Sequence, residues 1–363
     1  MSRVVVAMSG GVDSSVVAGL LVEAGHEVIG VHMKLHDAET DAAGRCCGLD
    51  DALDARRVAE RLGITFHVMD LREAFRQSVM EQFTENYLAG ATPNPCVSCN
   101  GVLKFRVLLQ RAVALGASHL ATGHYARVDE AGRTLSRAVD EQKDQTYFLY
   151  PITPKALARV MFPLGGLKKD EVREHARRLG LRTAEKPESQ EICFIPDQDH
   201  AGFIQRERPD SDGSGELVDA QGRVLGTHDG YWRFTVGQRR GLGLSIGQRA
   251  YVTHIDPSTR RVIVGGEGDL WHRGLVGVGW VWHDRPGPQE RVTARIRHRG
   301  ALVPCFVEAG DSPAVHFEEP AWAVAPGQAV VIYRGEQVLG GGTIRRALTS
   351  TPADAPALAP EAA

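Results

Sequence analysis

Long apolar runs are missing from this sequence. The longest, such as Val4 to Met8 and Val16 to Val22, fall far short of the roughly 20 residues that a bilayer-spanning helix needs. The N-terminus has a single Arg3 before a strand-like run, with neither the apolar core nor the small-residue cleavage site of a signal peptide, so cytoplasmic residence with no membrane partner is expected. Cysteine is scarce, six in 363 residues, which argues against a disulfide framework. Cys96, Cys99 and Cys193 read as free, catalytic or metal-binding thiols, and Cys305, alone in a strand-like run, as a small buried apolar residue. A strong overall charge is also lacking, since the net formal charge is −3. The distribution is uneven, however. Between Tyr231 and Gly300 lie twelve Arg, no Lys and five acidic residues, a balance of +7 that leaves −10 for the remainder. Such asymmetry fits a face turned to a polyanion, and equally a solvated basic surface.

What is present reads as a multidomain globular chain. Its length suggests two or three domains, and 43% apolar and 24% charged residues are ordinary values. Arg3 to Met8 reads as a strand, Ser14 to Glu23 as a buried helix, Glu27 to Met33 as a strand, Asp50 to Leu62 as a helix and Thr65 to Asp70 as a strand. Leu71 to Leu88 and Leu103 to Leu115 follow as helices and His119 to Gly123 as another strand. This alternation predicts an α/β domain, a doubly wound parallel sheet with helices on both faces. Beyond about Asp199 the texture changes to Gly-rich sequence with short strand-like pieces, which predicts small β-rich modules. Residues 351–363 are rich in Pro and Ala and are expected to be a disordered tail.

Between the first strand and the first helix stands Ser9-Gly10-Gly11-Val12-Asp13-Ser14-Ser15. Glycines let backbone approach an anion, and a helix N-terminus supplies unpaired N–H groups and a positive dipole end. The loop lacks the lysine of Gly-x-x-x-x-Gly-Lys-Ser/Thr, so it is not the usual cradle for γ-phosphate transfer. It resembles instead the Ser-Gly-Gly-x-Asp-Ser signature of the PP-loop ATP pyrophosphatases, in which a substrate oxygen is adenylated and pyrophosphate departs.

Other segments narrow the resemblance. Asn94-Pro95-Cys96-Val97-Ser98-Cys99-Asn100 with Lys104-Phe105, Ala121-Thr122-Gly123-His124-Tyr125, Lys143-Asp144-Gln145-Thr146-Tyr147-Phe148-Leu149, Ser189-Gln190-Glu191-Ile192-Cys193-Phe194-Ile195 and Thr235-Val236-Gly237-Gln238-Arg239-Arg240-Gly241 are similar to segments of the tRNA 2-thiouridylases. Cys46-Cys47-Gly48 matches a paired-cysteine segment of that family and reads as structural. The resemblance runs from about Arg3 to Arg345. It implies a PP-loop adenylation domain (1–205), a small central β-rich domain (206–273) and a C-terminal β-barrel that grips tRNA (274–350). The implied reaction is ATP-dependent replacement of the 2-carbonyl oxygen of the wobble uridine by sulfur. ATP and Mg²⁺ are the implied cofactors, the tRNA anticodon arm the substrate, and a cysteine desulfurase or sulfur-relay protein the donor.

Residue by residue, the resemblance puts Ala7, Met8, Ser9, Gly10, Gly11, Val12, Asp13, Ser14, Met33 and Gly123 on ATP, with Asp13 placing Mg²⁺ or pyrophosphate. Met33 alone would read as core. Asn94, Pro95 and Cys96 would meet the flipped target base. His124, Lys143, Asp144, Gln145, Arg297, His298 and Gln328 would contact tRNA, His298 standing where the family has Tyr. Cys193 would receive a persulfide and Cys99 would attack it to release sulfur or close a disulfide with it. Many relatives carry Asp where Cys96 stands here. Cys96, Cys99 and Cys193 therefore form a second candidate arrangement, three ligands for a [4Fe–4S] cluster with one iron open to hydrosulfide.

Overall fold

The computed structural model describes residues 1–36, 49–187, 192–195, 197–244 and 249–349. Cys46, Cys47, Ser189 to Glu191 and the tail 351–363 lie outside the described residues.

The first unit is built on five parallel strands: β1 (Arg3–Ala7), β2 (Glu27–Lys34), β3 (Thr65–Asp70), β4 (His119–Ala121) and Val160–Met161, in the order β3, β2, β1, β4, Val160–Met161. Side chains of a strand alternate between faces, and both faces of β1 are apolar. Val4 and Val6 pack on α1 (Val12–Glu23), α2 (Leu49–Leu62) and the helix Lys169–Arg178. Val5 and Ala7 pack on Phe105, Leu108 and Ala112. The expected doubly wound sheet is what forms. Its chain order reverses between β1 and β4, and such a switch point opens a crevice at the carboxyl ends of the strands.

Residues 95–114 cover the second face. Pro95–Ser98 is α-helical, Cys99–Leu108 winds as a π-helix, and Leu109–Ala114 returns to α. This helix runs between two cores: Phe105 and Leu108 face the sheet, while Leu103 joins Phe83, Phe194, Phe203 and Trp232. The latter cluster also includes Leu217, Val252, Val262 and Val264 of a central four-stranded sheet that spans Gly215–Val218, Val224–His228, Tyr251–Asp256 and Arg261–Gly265.

Six antiparallel strands, Trp271–Trp282, Val292–Arg295, Val303–Val307, Ala314–Trp322, Ala329–Arg334 and Gln337–Thr349, form the C-terminal barrel. Trp271–Trp282 pairs with both Ala314–Trp322 and Gln337–Thr349, which closes it. Val330 and Ile332 fill its interior, whereas Val331 and Tyr333, on the alternate face, pack into the core of the first unit beside Tyr147 and Leu149. A hairpin of the first unit, Ala126–Val128 and Leu135–Arg137, pairs with the barrel through Ser136 and Gln337. The sequence reading did not anticipate this junction, because the hairpin strands have only three residues each.

Candidate active site

At the switch point the chain leaves β1 and turns into α1. Gly10 takes φ +81°, open to glycine at little cost, and Gly11 is the extended N-cap with no side-chain capping bond. The first N–H groups of α1 are thus left for an anion. The hydroxyls hold the loop from within: Ser14 Oγ accepts from Ser9 N at 3.1 Å and donates to Gly11 O at 3.3 Å, while Ser15 Oγ donates to Gly11 O at 2.7 Å. Lys186 fixes the loop from outside, with Nζ at 3.2 Å from Gly10 O and 2.7 Å from both Asp51 and Asp54. Opposite stands Gly123, where a Cβ would lie 2.9 Å from Ser14 N and 3.0 Å from Asp13 Cβ. Its lack of a side chain is what keeps the helix end open.

A cleft of about 180 Å³ opens here, lined by Ala7, Met8, Ser9, Asp13, Ser14, Met33, Gly123, His124 and Gln145, and by His32, Lys104 and Thr122. The first nine are sequence-predicted site residues; Gly10, Gly11 and Val12 shape the loop behind them. The last three were missed as site residues. Lys104 and Thr122 stood in quoted motifs without a role. His32 is buried and bonds Met8 O through Nδ1 at 2.9 Å, and burial lowers its pKa. Two partners hold Asp13: Tyr125 donates at 2.9 Å and Lys169 Nζ at 2.7 Å. Both bonds fall on Oδ1, which leaves Oδ2 for a cation, so the carboxylate suits Mg²⁺. Lys169, 156 residues along the chain from Asp13, carried no sequence signal.

The thiol-bearing helix reaches this cleft through Lys104. Asn94 is its N-cap, accepting from Cys96 N at 3.2 Å, and buried Pro95 occupies its first turn. Cys96 is open to water yet ringed by protein; that enclosure, with Cys99 nearby, pushes its thiol up to about 11 against the pull of Lys104. Burial raises Cys99 too, again opposed by Lys104. Cys99 and Cys193 both border the apolar cluster around Phe83 and Phe194. Cys96, Cys99 and Cys305 are free thiols. Among the described residues no three Cys, His, Asp or Glu side chains come together to hold a metal. Cys96, Cys99 and Cys193 as arranged therefore do not fit the cluster weighed from sequence.

The expected tRNA residues divide into distinct surroundings. His124 is buried, bonds Thr122 Oγ1 at 2.7 Å and packs between Phe105 and Phe162; burial, then Lys104, holds its pKa well below the usual value. It reaches the cleft rather than the outer surface. Gln145 accepts from Tyr125 N at 2.9 Å. Asp144 departs most from expectation: its side chain is 1% exposed and pairs with Arg295 at 3.0 Å and Arg137 at 3.6 Å. A carboxylate so enclosed ties the first unit to the barrel and has no edge for RNA. Lys143 is half-buried just beside it. Arg297 lies over the Trp322 ring and donates to Trp322 O at 2.7 Å, and His298 packs on Phe148 with ring centres 4.3 Å apart. Gln328 donates to Thr92 O at 2.8 Å. Of the arginines counted in the basic stretch, Arg260, Arg261 and Arg291 pair with Asp212, Glu216 and Glu318, whereas exposed Arg233, Arg239, Arg240 and Arg299 have no side-chain partner among the described residues.

Three family models match the chain in succession. A tRNA methyl transferase HUP domain covers residues 2–197, a tRNA methyl transferase PRC-barrel domain 201–266, and an aminomethyltransferase beta-barrel domain 273–344. The tRNA-specific 2-thiouridylase MnmA of Geobacter metallireducens is 50% identical over 359 residues, 96% of this chain and 98% of the relative. Its counterpart from Carboxydothermus hydrogenoformans is 48% identical over 358 residues, 95% and 98% of the two chains. Among solved structures, a 4-thiouridine synthetase–RNA complex with bound ATP is 17% identical, with a TM-score of 0.38 over 58% of this chain and 51% of that one. Among the described residues no helix is long and apolar enough to cross a membrane. Identity near one half along almost the whole of both chains shows that this chain belongs to the tRNA-specific 2-thiouridylase family.

Proposed function

We propose that the chain is an ATP-dependent tRNA uridine 2-sulfurtransferase acting on the wobble uridine of the anticodon arm. One observation carries this: the wall of the nucleotide cleft that supplies Lys104 is the same helix that carries Cys96 and Cys99. An adenylating centre and a sulfur centre are thus adjacent, as the reaction requires.

In this mechanism the N–H groups at the start of α1 and the backbone of Ser9 to Ser14 hold the phosphates, with Ala7, Met8, Met33 and Gly123 around the nucleotide. Asp13 and its Oδ2 would hold Mg²⁺, which supplies charge neutralisation for the departing pyrophosphate. A uridine 2-carbonyl has an oxide leaving group; adenylating the oxygen turns that group into AMP. The base leaves its stack to meet Asn94, Pro95 and Cys96. Cys193 carries the persulfide and Cys99 attacks its inner sulfur. A Cys99–Cys193 disulfide forms, and hydrosulfide departs with the electron pair to add at C2. Persulfide chemistry is adopted because the three thiols do not fit a cluster, and no step runs through one. Lys143, Arg297 and His298 serve the RNA, and the exposed Arg233, Arg239, Arg240 and Arg299 extend that face. Gln328 acts through Thr92. The donor is a cysteine desulfurase or a relay protein, and the substrates fit a cytoplasmic enzyme.

The test is nucleoside mass spectrometry of tRNA incubated with purified protein, ATP, Mg²⁺, a cysteine desulfurase with cysteine to charge Cys193 with persulfide, and a thiol reductant that reopens the Cys99–Cys193 disulfide after each transfer. The expected outcome is 2-thiouridine at the wobble position with one pyrophosphate per thiolation. Pyrophosphate release that ignores tRNA overturns the proposal.

A further inference from the structure

Among the twelve residues that line the nucleotide cleft, Lys104 is the single Lys or Arg. The other nearby lysines are engaged, Lys169 by Asp13 and Lys186 by Asp51 and Asp54. Lys104 is half-buried, and its ammonium has no hydrogen bond or ion pair among the described residues. A cation partly withdrawn from water and left unpaired is costly, and such a cost is met where a ligand supplies the counter-charge.

The helix winding explains how Lys104 comes to share a wall with the thiols. In an α-helix a residue five places on lies about 140° round the axis. Cys99–Leu108 is instead a π-helix, whose hydrogen bonds join residues i and i+5. Cys99 and Lys104 are therefore one hydrogen-bonded turn apart. The lysine's charge is felt at Cys96, Cys99 and His124. A π stretch of ten residues is unusual, and π turns concentrate at functional sites.

We propose that Lys104 is a further catalytic residue, whose ammonium binds a non-bridging oxygen of the ATP α-phosphate and holds the charge that gathers there in both halves of the reaction. The inference rests on the function proposed above. In the first half the uridine 2-oxygen bonds to the α-phosphorus, the bond to the bridging oxygen breaks, pyrophosphate leaves with the electron pair, and the N3 proton passes to water. In the second half hydrosulfide adds at C2, the C2–O bond breaks, AMP leaves with the pair, and the sulfur's proton passes to N3. The α-phosphate is common to both, so one fixed cation serves both.

The experiment measures tRNA-dependent pyrophosphate release by the full chain, with ATP and with the two diastereomers of α-thio-ATP, for wild type, Lys104→Met and Lys104→Arg. Lys104→Met should lower kcat about a hundredfold, as loss of one oxyanion donor does, while KM for ATP shifts less than about threefold, and Lys104→Arg should recover part of the rate. Wild type should prefer one diastereomer, and Lys104→Met should lose most of that preference. Because the side chain has no protein partner, thermal denaturation should be unchanged; if Lys104→Met melts early, Lys104→Arg and its diastereomer preference decide. An unchanged kcat with the same preference overturns the proposal and leaves the parent function standing. A wild type that releases no pyrophosphate with tRNA and ATP overturns both.

Discussion

Gln328, in a turn of the C-terminal barrel, donates its side-chain amide to the carbonyl of Thr92 at 2.8 Å, two residues before the cap of the thiol-bearing helix. Thr92 N in turn donates to Pro326 O at 2.8 Å, and the Thr92 hydroxyl meets Thr235 of the central unit at 3.3 Å. The barrel and the central unit therefore both grip one residue of the first unit at the entrance to the Cys96–Cys99 segment. Removing the amide in Gln328→Ala costs about 1 kcal/mol of stability, the worth of one hydrogen bond, visible in urea denaturation. Looser placement of the helix start should also cut kcat/KM for tRNA thiolation several-fold with ATP binding unaltered.

Gly123 faces the start of α1 so closely that a methyl group would lie 2.9 Å from Ser14 N. In Gly123→Ala that methyl group occupies the approach to the N–H groups proposed to take phosphate. Calorimetry should show ATP affinity reduced at least about tenfold, the scale of one lost charge-assisted bond, while circular dichroism stays native.

Asp144 and Arg295 form a buried pair, with 1% and 10% of their side chains exposed. Cutting one partner strands the other charge, so Asp144→Ala should lose roughly 3–5 kcal/mol of stability. Its damage to tRNA binding should appear only where the protein has begun to unfold, and denaturant titration against binding at low temperature separates the two.

How much of this could be read from the chain depends on range. The loop, its strand and its helix are local, so Ser9 to Ser14 carried their own evidence, and the alternation of strands with helices foretold the sheet covered on both faces, on which Val4 and Val6 pack one way and Val5 and Ala7 the other. Asp144 lies within a segment that resembles an RNA contact, but Arg295, 151 residues away, turns it inward. Lys104 stood in a recognised segment, yet an α-helical reading points it away from Cys99, since nothing local announces a π turn. Lys169 and Lys186 act on the loop from 156 and 176 residues away, a distance at which pattern and spacing are silent.

His32 and His124 are both buried and held neutral, their pKa values lowered chiefly by desolvation from 6.5. In the unfolded chain each takes up a proton near pH 6.5, whereas the folded chain does so only at lower pH. Above that pH both states are neutral there and no stability difference arises. Below it the unfolded state binds more protons, so stability falls with falling pH, by up to about 1.4 kcal/mol per pH unit for each histidine. Urea midpoints measured from pH 7 to pH 5 should decline, and His32→Asn should reduce that slope whatever it does to stability at pH 7.

Arg239 and Arg240 follow the Gly237-Gln238 turn, exposed and with no side-chain partner among the described residues. Arginines engaged in ion pairs, such as Arg291 with Glu318 at 2.7 Å, have little left to give a phosphate. If Arg239 and Arg240 each meet one phosphate, each releases about one counterion when tRNA docks. The double variant Arg239→Ala/Arg240→Ala should then flatten the dependence of log K on log salt by nearly 2. Affinity should fall most at low salt and about equally for every tRNA, because phosphate contacts carry no base identity. A matched pair of substitutions at Arg291 and Glu318, which removes an arginine already neutralised, should leave the slope unchanged. Filter binding across a salt series distinguishes the two, and an unchanged slope in the Arg239/Arg240 variant removes those residues from the RNA face.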